Sequence, residues 1–388
     1  MARNAIPMIM IVRFSCLFLV MLAKVVRGQD YGNDGGGVFG TFAPPEAAAA
    51  AATSEMVPAM FIFGDSLIDN GNNNDLASLA KANYFPYGID FNGGPTGRFS
   101  NGYTMVDTIA EQLGLPLIPA YSQASNSADN MLHGVNFASA AAGILDITGR
   151  NFVGRIPFNQ QIKNFENSLD EISNALGAAN LGQALSRCIF FVGMGSNDYL
   201  NNYLMPNYNT RNQYDGNQYA ELLSEEYTTQ LKELYNLGAR KFVLAGLGLM
   251  GCIPSILAQG TTGGCSDEVN QLVQPFNSNM KTMINNLSAN LPGSKFVFID
   301  VHNMFQDILA NSRSYGFTVV NRGCCGIGRN RGQITCLPFQ TPCPNRNEYV
   351  FWDAFHPTEA VNVLMGKKAF SGTPDVVYPM NIQQLARL

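Results

Sequence analysis

The chain has three histidines, His133, His302 and His356, and each has an aspartate within reach along the sequence. His133 lies four residues after Asp129. His302 lies two after Asp300. His356 lies three after Asp353, in "FWDAFHPTEA", beside the only tryptophan, Trp352. A three-residue spacing in a turn brings carboxylate and imidazole together. The carboxylate then holds one ring nitrogen and leaves the other free to take a proton. Most Asp–His neighbours are structural, so the spacing needs a nucleophile beside it.

The nucleophile suggested by the sequence is Ser66, in "FIFGDSL". An apolar run ends at Gly64, which permits a tight turn, and Ser66 then projects from the end of a strand. A helix N-cap at Asp65 or Ser66 would read the same way. The pattern is not the G-x-S-x-G elbow of α/β-hydrolases. Acyl transfer also needs donors aimed at the oxygen that becomes negative. The side-chain amide of Asn197 in "GMGSNDY" offers one, and the backbone N–H of Gly143 in "GVNFASAAAGIL" a second. An Asx-turn and a bend are the structural alternatives for these two positions.

Such groups need a scaffold. Continuous apolar runs recur at 59–63, 188–193, 241–246 and 295–300. They read as parallel strands buried on both faces. Helical spacing fills 103–114, stopping at Gly114, and 219–238, stopping at Gly238. Strands alternating with helices predict an open α/β sheet, in which functional groups collect beyond the carboxyl ends of the strands. Three of the runs open there onto Gly- and Asn-rich turns.

Composition bounds the rest. The 388 residues are 46% hydrophobic and 14% charged, as expected of a chain with a large core. Residues 1–28 read as a cleaved signal peptide: Arg3, an apolar stretch from Phe14 to Ala23, and small residues at Val26 and Gly28. Residues 29–55 read as a low-complexity flexible extension, and 56–388 as one domain. Residues 1–28 carry four basic residues and no acid, so their removal takes the net charge from −5 to −9. That charge disfavours nucleic acid and anionic membranes as partners. No uninterrupted span of about 20 apolar residues predicts a membrane helix.

Seven cysteines follow the signal segment. Cys252 and Cys265 bracket a Gly-rich loop and read as a pair. Cys324, Cys325, Cys336 and Cys343 read as two disulfides rather than a zinc site, since no C-x-x-C is present. Cys324 and Cys325 each pair outward, to Cys336 and Cys343, with the order open. Cys188 reads as a buried free thiol. Asn286 heads an N-x-S glycosylation sequon.

Taken in order, "FIFGDSLIDNGNNN", "TGRFSNG", "GVNFASAAAGIL", "GMGSNDY", "NRGCCG" and "FWDAFHPTEA" resemble the plant-type GDSL esterase/lipase family of the SGNH hydrolase superfamily, over about residues 58–380. The resemblance implies a three-layer α/β/α, flavodoxin-like fold with a central parallel sheet. It implies Ser66 as nucleophile, His356 as base and Asp353 as its orienting acid. Asn197, Gly143 and the Ser66 N–H become the oxyanion donors. It implies a secreted, extracellular esterase, in the apoplast or cell wall, acting on lipid or other acyl esters without metal or organic cofactor, and we expect a monomer. Two departures stand out. Ala140, Ala141 and Ala142 occupy positions where many relatives have glycine, which leaves the donor of that turn open. His302 stands where tyrosine is common and reads as structural. An acyltransferase building an extracellular polyester would share the same residues. A catalytically silent secreted binding or defence protein would share the fold.

Overall fold

A computed structural model describes residues 55–388 except 125–127, 178 and 262. The expected signal segment and all of the expected extension but Glu55 lie outside the described residues.

The four apolar runs form strands β1 (Met60–Gly64), β2 (Ile189–Gly193), β3 (Lys241–Ala245) and β4 (Lys295–Ile299), in that spatial order and all parallel. The segment around Val135 and Phe137 runs along the free edge of β1. There the N–H of Ile62 donates to Val135 and that of Phe137 to Ile62. The sheet is not wholly parallel as expected. A two-residue strand, β7 (Val377–Tyr378), pairs antiparallel with β4 at the other edge. A small separate sheet joins β5 (Val319–Gly323) and β6 (Tyr349–Phe351) in parallel.

Residue alternation along the strands builds two cores. Phe61, Phe63, Phe190, Val192, Phe242 and Phe296 point to one face. The Phe242 and Phe296 rings stack there at 4.5 Å. Helices α2 (Phe158–Asn167), α3 (Gly216–Asn236) and α4 (Asp267–Asn290) cover this face through Phe165, Tyr227, Leu231, Phe276 and Met280. Met60, Ile62, Phe191, Val243 and Val297 point to the other face. It is covered by α1 (Met105–Gln112), α5 (Val301–Ala310) and α6 (Glu359–Ser371), through Ile109, Met304 and Val361. The result is the three-layer α/β/α arrangement. Every residue of β1 and β3 is buried, which explains why these strands read as continuous apolar runs.

The cysteines pair as Cys252–Cys265, Cys324–Cys343 and Cys325–Cys336, which settles the order left open by spacing. Cys188 is a buried free thiol. Burial pushes it up to about 12, so it stays protonated and inert. Asn286 sits on the exposed side of α4. Among the described residues no helix is long and apolar enough to cross a membrane.

Candidate active site

Ser66 follows β1 by two residues, in a turn closed by Ile68 and Asp69 N–H groups on the Asp65 carbonyl. Its Oγ lies 2.8 Å from His356 Nε2. The two residues are 290 apart in sequence. His356 Nδ1 lies 2.9 Å from both oxygens of Asp353. The Asp353 carboxylate is fully buried, and Oδ1 also accepts the N–H groups of Phe355 and His356 at 2.8 Å each. The three-residue spacing is thus a tight turn wrapped around its own carboxylate.

Two further donors reach Asp353 Oδ2: the Tyr87 hydroxyl at 2.6 Å and the Thr335 hydroxyl at 3.3 Å. Burial alone would raise the Asp353 carboxyl. The facing His356 ring and the Tyr87 and Phe355 donors outweigh burial and hold it below the ordinary range. Tyr87 is pushed well above its usual value by burial and by the Asp353 charge, so it stays a donor. Neither Tyr87 nor Thr335 is signalled by the sequence, because they sit 266 and 18 residues from Asp353 without a recognisable spacing.

The turn is held from behind. Cys324 and Cys325 N–H groups donate to Phe351 and Trp352 carbonyls at 3.0 and 2.7 Å, and Trp352 N–H donates to His356 carbonyl at 2.8 Å. Trp352 is fully buried in a small core with both disulfides of this region and Tyr87, whose ring meets the indole edge-on at 6.1 Å. This gives "NRGCCG" its place: it is the platform beneath the Asp353–His356 turn. "TGRFSNG" supplies Phe99, whose ring packs 5.1 Å from the His356 imidazole. Arg98 anchors that segment by a buried two-pronged pair with Asp107, at 2.8 and 2.7 Å.

Asn197 lines the cleft and is nearly buried. Its Oδ1 accepts from Asn201 at 2.5 Å, and its Nδ2 donates to the Ala142 carbonyl at 2.8 Å. An amide nitrogen carries two hydrogens, so one N–H remains for a ligand. Asp198 ties this turn to the 140–148 loop by accepting Ile144 and Leu145 N–H groups and the Thr148 hydroxyl. Burial nonetheless pushes Asp198 up to about 6. Asp69 braces the same loop through the Ala140 N–H at 2.9 Å, and burial pushes it to about 6 as well.

Gly143, expected as an oxyanion donor, is buried and is not among the residues that line the cleft. Ala141, not Gly143, is the residue of this loop that lines the cleft. Gly143 is buried behind it, where a side chain would come within 2.7 Å of the Asp198 carboxylate. Its smallness therefore serves the Asp198 brace. Ala141 has φ +65°, a conformation that glycine adopts more readily, which accounts for an alanine being the unusual residue here.

The other histidines lie apart from this constellation. His302 pairs with Asn303 at 3.4 Å, while Asp300 binds Lys281 at 2.8 Å and caps α5 through Asn303 N–H. His133 approaches Glu55 to 3.4 Å without hydrogen-bond alignment.

The cleft around Ser66 encloses about 200 Å³ and is lined mainly by apolar side chains. A family model for the GDSL-like lipase/acylhydrolases matches residues 60–369. A GDSL esterase/lipase of Arabidopsis thaliana is 69% identical over 334 residues, 86% of each chain. A second one from the same plant is 53% identical over 339 residues, covering 86% of this chain and 93% of the relative. GDSL esterase/lipase 7, also of Arabidopsis thaliana, is 50% identical over the same share of each. The matched span includes Ser66, Asn197, Asp353 and His356, and on this match the chain belongs to the GDSL-like lipase/acylhydrolase family.

Proposed function

We propose that this chain is a secreted carboxylic ester hydrolase that works through a Ser66 acyl-enzyme. The observation that carries the reading is the continuous hydrogen-bonded line from Ser66 Oγ through His356 to the buried Asp353. The esterase/lipase names of the relatives agree with it.

In this mechanism His356 Nε2 takes the Ser66 proton as Oγ attacks the ester carbonyl. Asp353 holds the imidazole in place and favours its charged form. The free Asn197 N–H, the Ser66 N–H and the Ala141 N–H stabilise the oxyanion. Ala141 replaces Gly143 in this role because it faces the cleft. His356 then protonates the leaving alcohol, and water repeats the sequence on the acyl-enzyme. Export agrees with the three disulfides, with the sequence of residues 1–28 and with the exposed sequon at Asn286, which we read as glycosylated.

A fluorophosphonate probe followed by peptide mapping tests the reading. Label on Ser66 that is lost in His356→Ala supports it. A folded, oxidised protein that takes no label, and whose Ser66→Ala variant cleaves a short aryl ester at the wild-type rate, refutes it.

A further inference from the structure

The cleft continues beyond the groups that do chemistry. Besides Ser66, Asn197 and His356, its lining includes Phe191, Met194, Leu247, Phe305 and Met365. The hollow originates in the strand register. Ile62, Phe191 and Val243 stand side by side on β1, β2 and β3 and fill the face beneath α1, α5 and α6. The next row on that face is Gly64, Gly193 and Ala245. Ile68 occupies the space over Gly64, so the cleft opens over Gly193 and Ala245, and Met105, Val301 and Met365 of the helical layer line it as well.

Gly193 is not there for its backbone. A Cβ at this position would meet Ile68 at 3.4 Å, Phe191 at 3.5 Å and Ala245 at 3.8 Å, ordinary contact distances. A methyl group fits against these three neighbours, and a larger side chain would enter the cleft that Gly193 lines.

Proton transfer decides which half of an ester enters that space. The leaving oxygen must come within reach of His356 Nε2, which returns the proton. Two rings flank that imidazole, Phe99 at 5.1 Å and Phe355 at 6.1 Å, and both line the cleft. We infer that the alcohol leaves past these rings, that the Gly193–Ala245 hollow is an acyl-chain subsite for unbranched aliphatic acyl groups, and that Gly193, Ala245 and Phe305 set the length accepted. The inference rests on the ester-hydrolase reading of Ser66.

The test is a series of p-nitrophenyl esters, acetate to palmitate, on the full oxidised chain. For the wild type, kcat/KM rises with acyl length by up to roughly fourfold per methylene until the hollow is full. Gly193→Val lowers the decanoate-to-acetate ratio of kcat/KM by about tenfold or more, as expected for several excluded methylenes. Phe305→Ala, which removes a ring from the wall, moves the optimum to longer chains. Fluorophosphonate labelling of Ser66 identifies the variants that are folded. Unchanged acyl profiles in both labelled variants overturn the subsite, as does a shift confined to a matched series of alkyl acetates, in which only the alcohol grows. A wild type that cleaves no ester and takes no label removes the hydrolase reading itself, and the subsite with it.

Discussion

The Gln161 side-chain amide pairs with both backbone groups of Gly64, accepting its N–H at 3.0 Å and donating to its carbonyl at 2.9 Å. Gln161 is fully buried on α2 and donates also to the Ile156 carbonyl at 2.9 Å. It therefore fixes the last residue of β1, two positions before Ser66. Gln161→Leu strands the buried Gly64 N–H, at a cost of about 1–3 kcal/mol, while the Gly64 carbonyl keeps the Ser139 N–H at 3.0 Å. A change confined to stability would lower the unfolding midpoint and leave steady-state constants alone. We expect kcat to fall by about tenfold or more with KM little changed, because displacement of the nucleophile by a fraction of an ångström affects the reacting geometry first. Kinetics well below the unfolding temperature separate the two.

Tyr87→Phe removes the 2.6 Å donor from Asp353 Oδ2 and keeps the ring. With less support for its charge, the Asp353 carboxyl is held less far below the ordinary range and binds a proton more tightly. The acid limb of kcat/KM should therefore move to higher pH. A variant that lost only packing would shift stability and leave the limb where it is.

Asn197→Ala removes the free N–H and also the link to Ala142. A loss on the order of 10²-fold in kcat is expected for a missing oxyanion donor. Enlarged KM at unchanged kcat would assign Asn197 to substrate binding instead.

Opening Cys324–Cys343 and Cys325–Cys336 removes the platform that holds Phe351 and Trp352. Each bond contributes about 2–4 kcal/mol. In Cys325→Ser with Cys336→Ser, hydrolysis should decline at temperatures where circular dichroism still reports folded chain. Coincident loss of both signals would show that the platform serves global stability alone.

Asp65 is buried, accepts one N–H from Leu67, and burial pushes it up to about 7 from the ordinary 3.8. Between those values the folded chain holds a proton that the unfolded chain releases. This contribution is complete below the unfolded value and is lost as pH rises through about 7. Asp69 and Asp198, raised to about 6, act with the same sign. Asp353, held low, opposes them only at strongly acid pH. The unfolding midpoint should be higher near pH 5 than near pH 8, and Asp65→Asn should flatten the difference. A midpoint that climbs with pH over this range would contradict the assignment.

The four parallel strands β1 to β4 were legible because burial on both faces leaves them apolar, except for Lys241 and Lys295 at the first positions of β3 and β4. The helices expected over 103–114 and 219–238, which form at Met105–Gln112 and Gly216–Asn236, were legible through one apolar stripe each. β7 has two residues and β5 reads "VVNRG", too short and too polar for any period to register. At the site, Ser66, Asp353 and His356 were marked by residue type and local spacing. Ala141, which lines the cleft, was not, since an alanine carries no chemical mark and its place depends on which way a loop faces. Tyr87, Thr335 and Gln161 were equally silent: each acts across a fold that brings distant segments together.

The 290 residues between Ser66 and His356 also set an order of events. A polypeptide leaving the ribosome presents its nucleophile early and its base among the last few dozen residues. β1 to β4 can pair before the Asp353 turn exists, so a nascent or prematurely terminated product carries the sheet and the serine yet has nothing to draw the proton from it. On the reading of His356 as base, a translation product that stops before residue 356 holds Ser66 without its partner and should take no fluorophosphonate label.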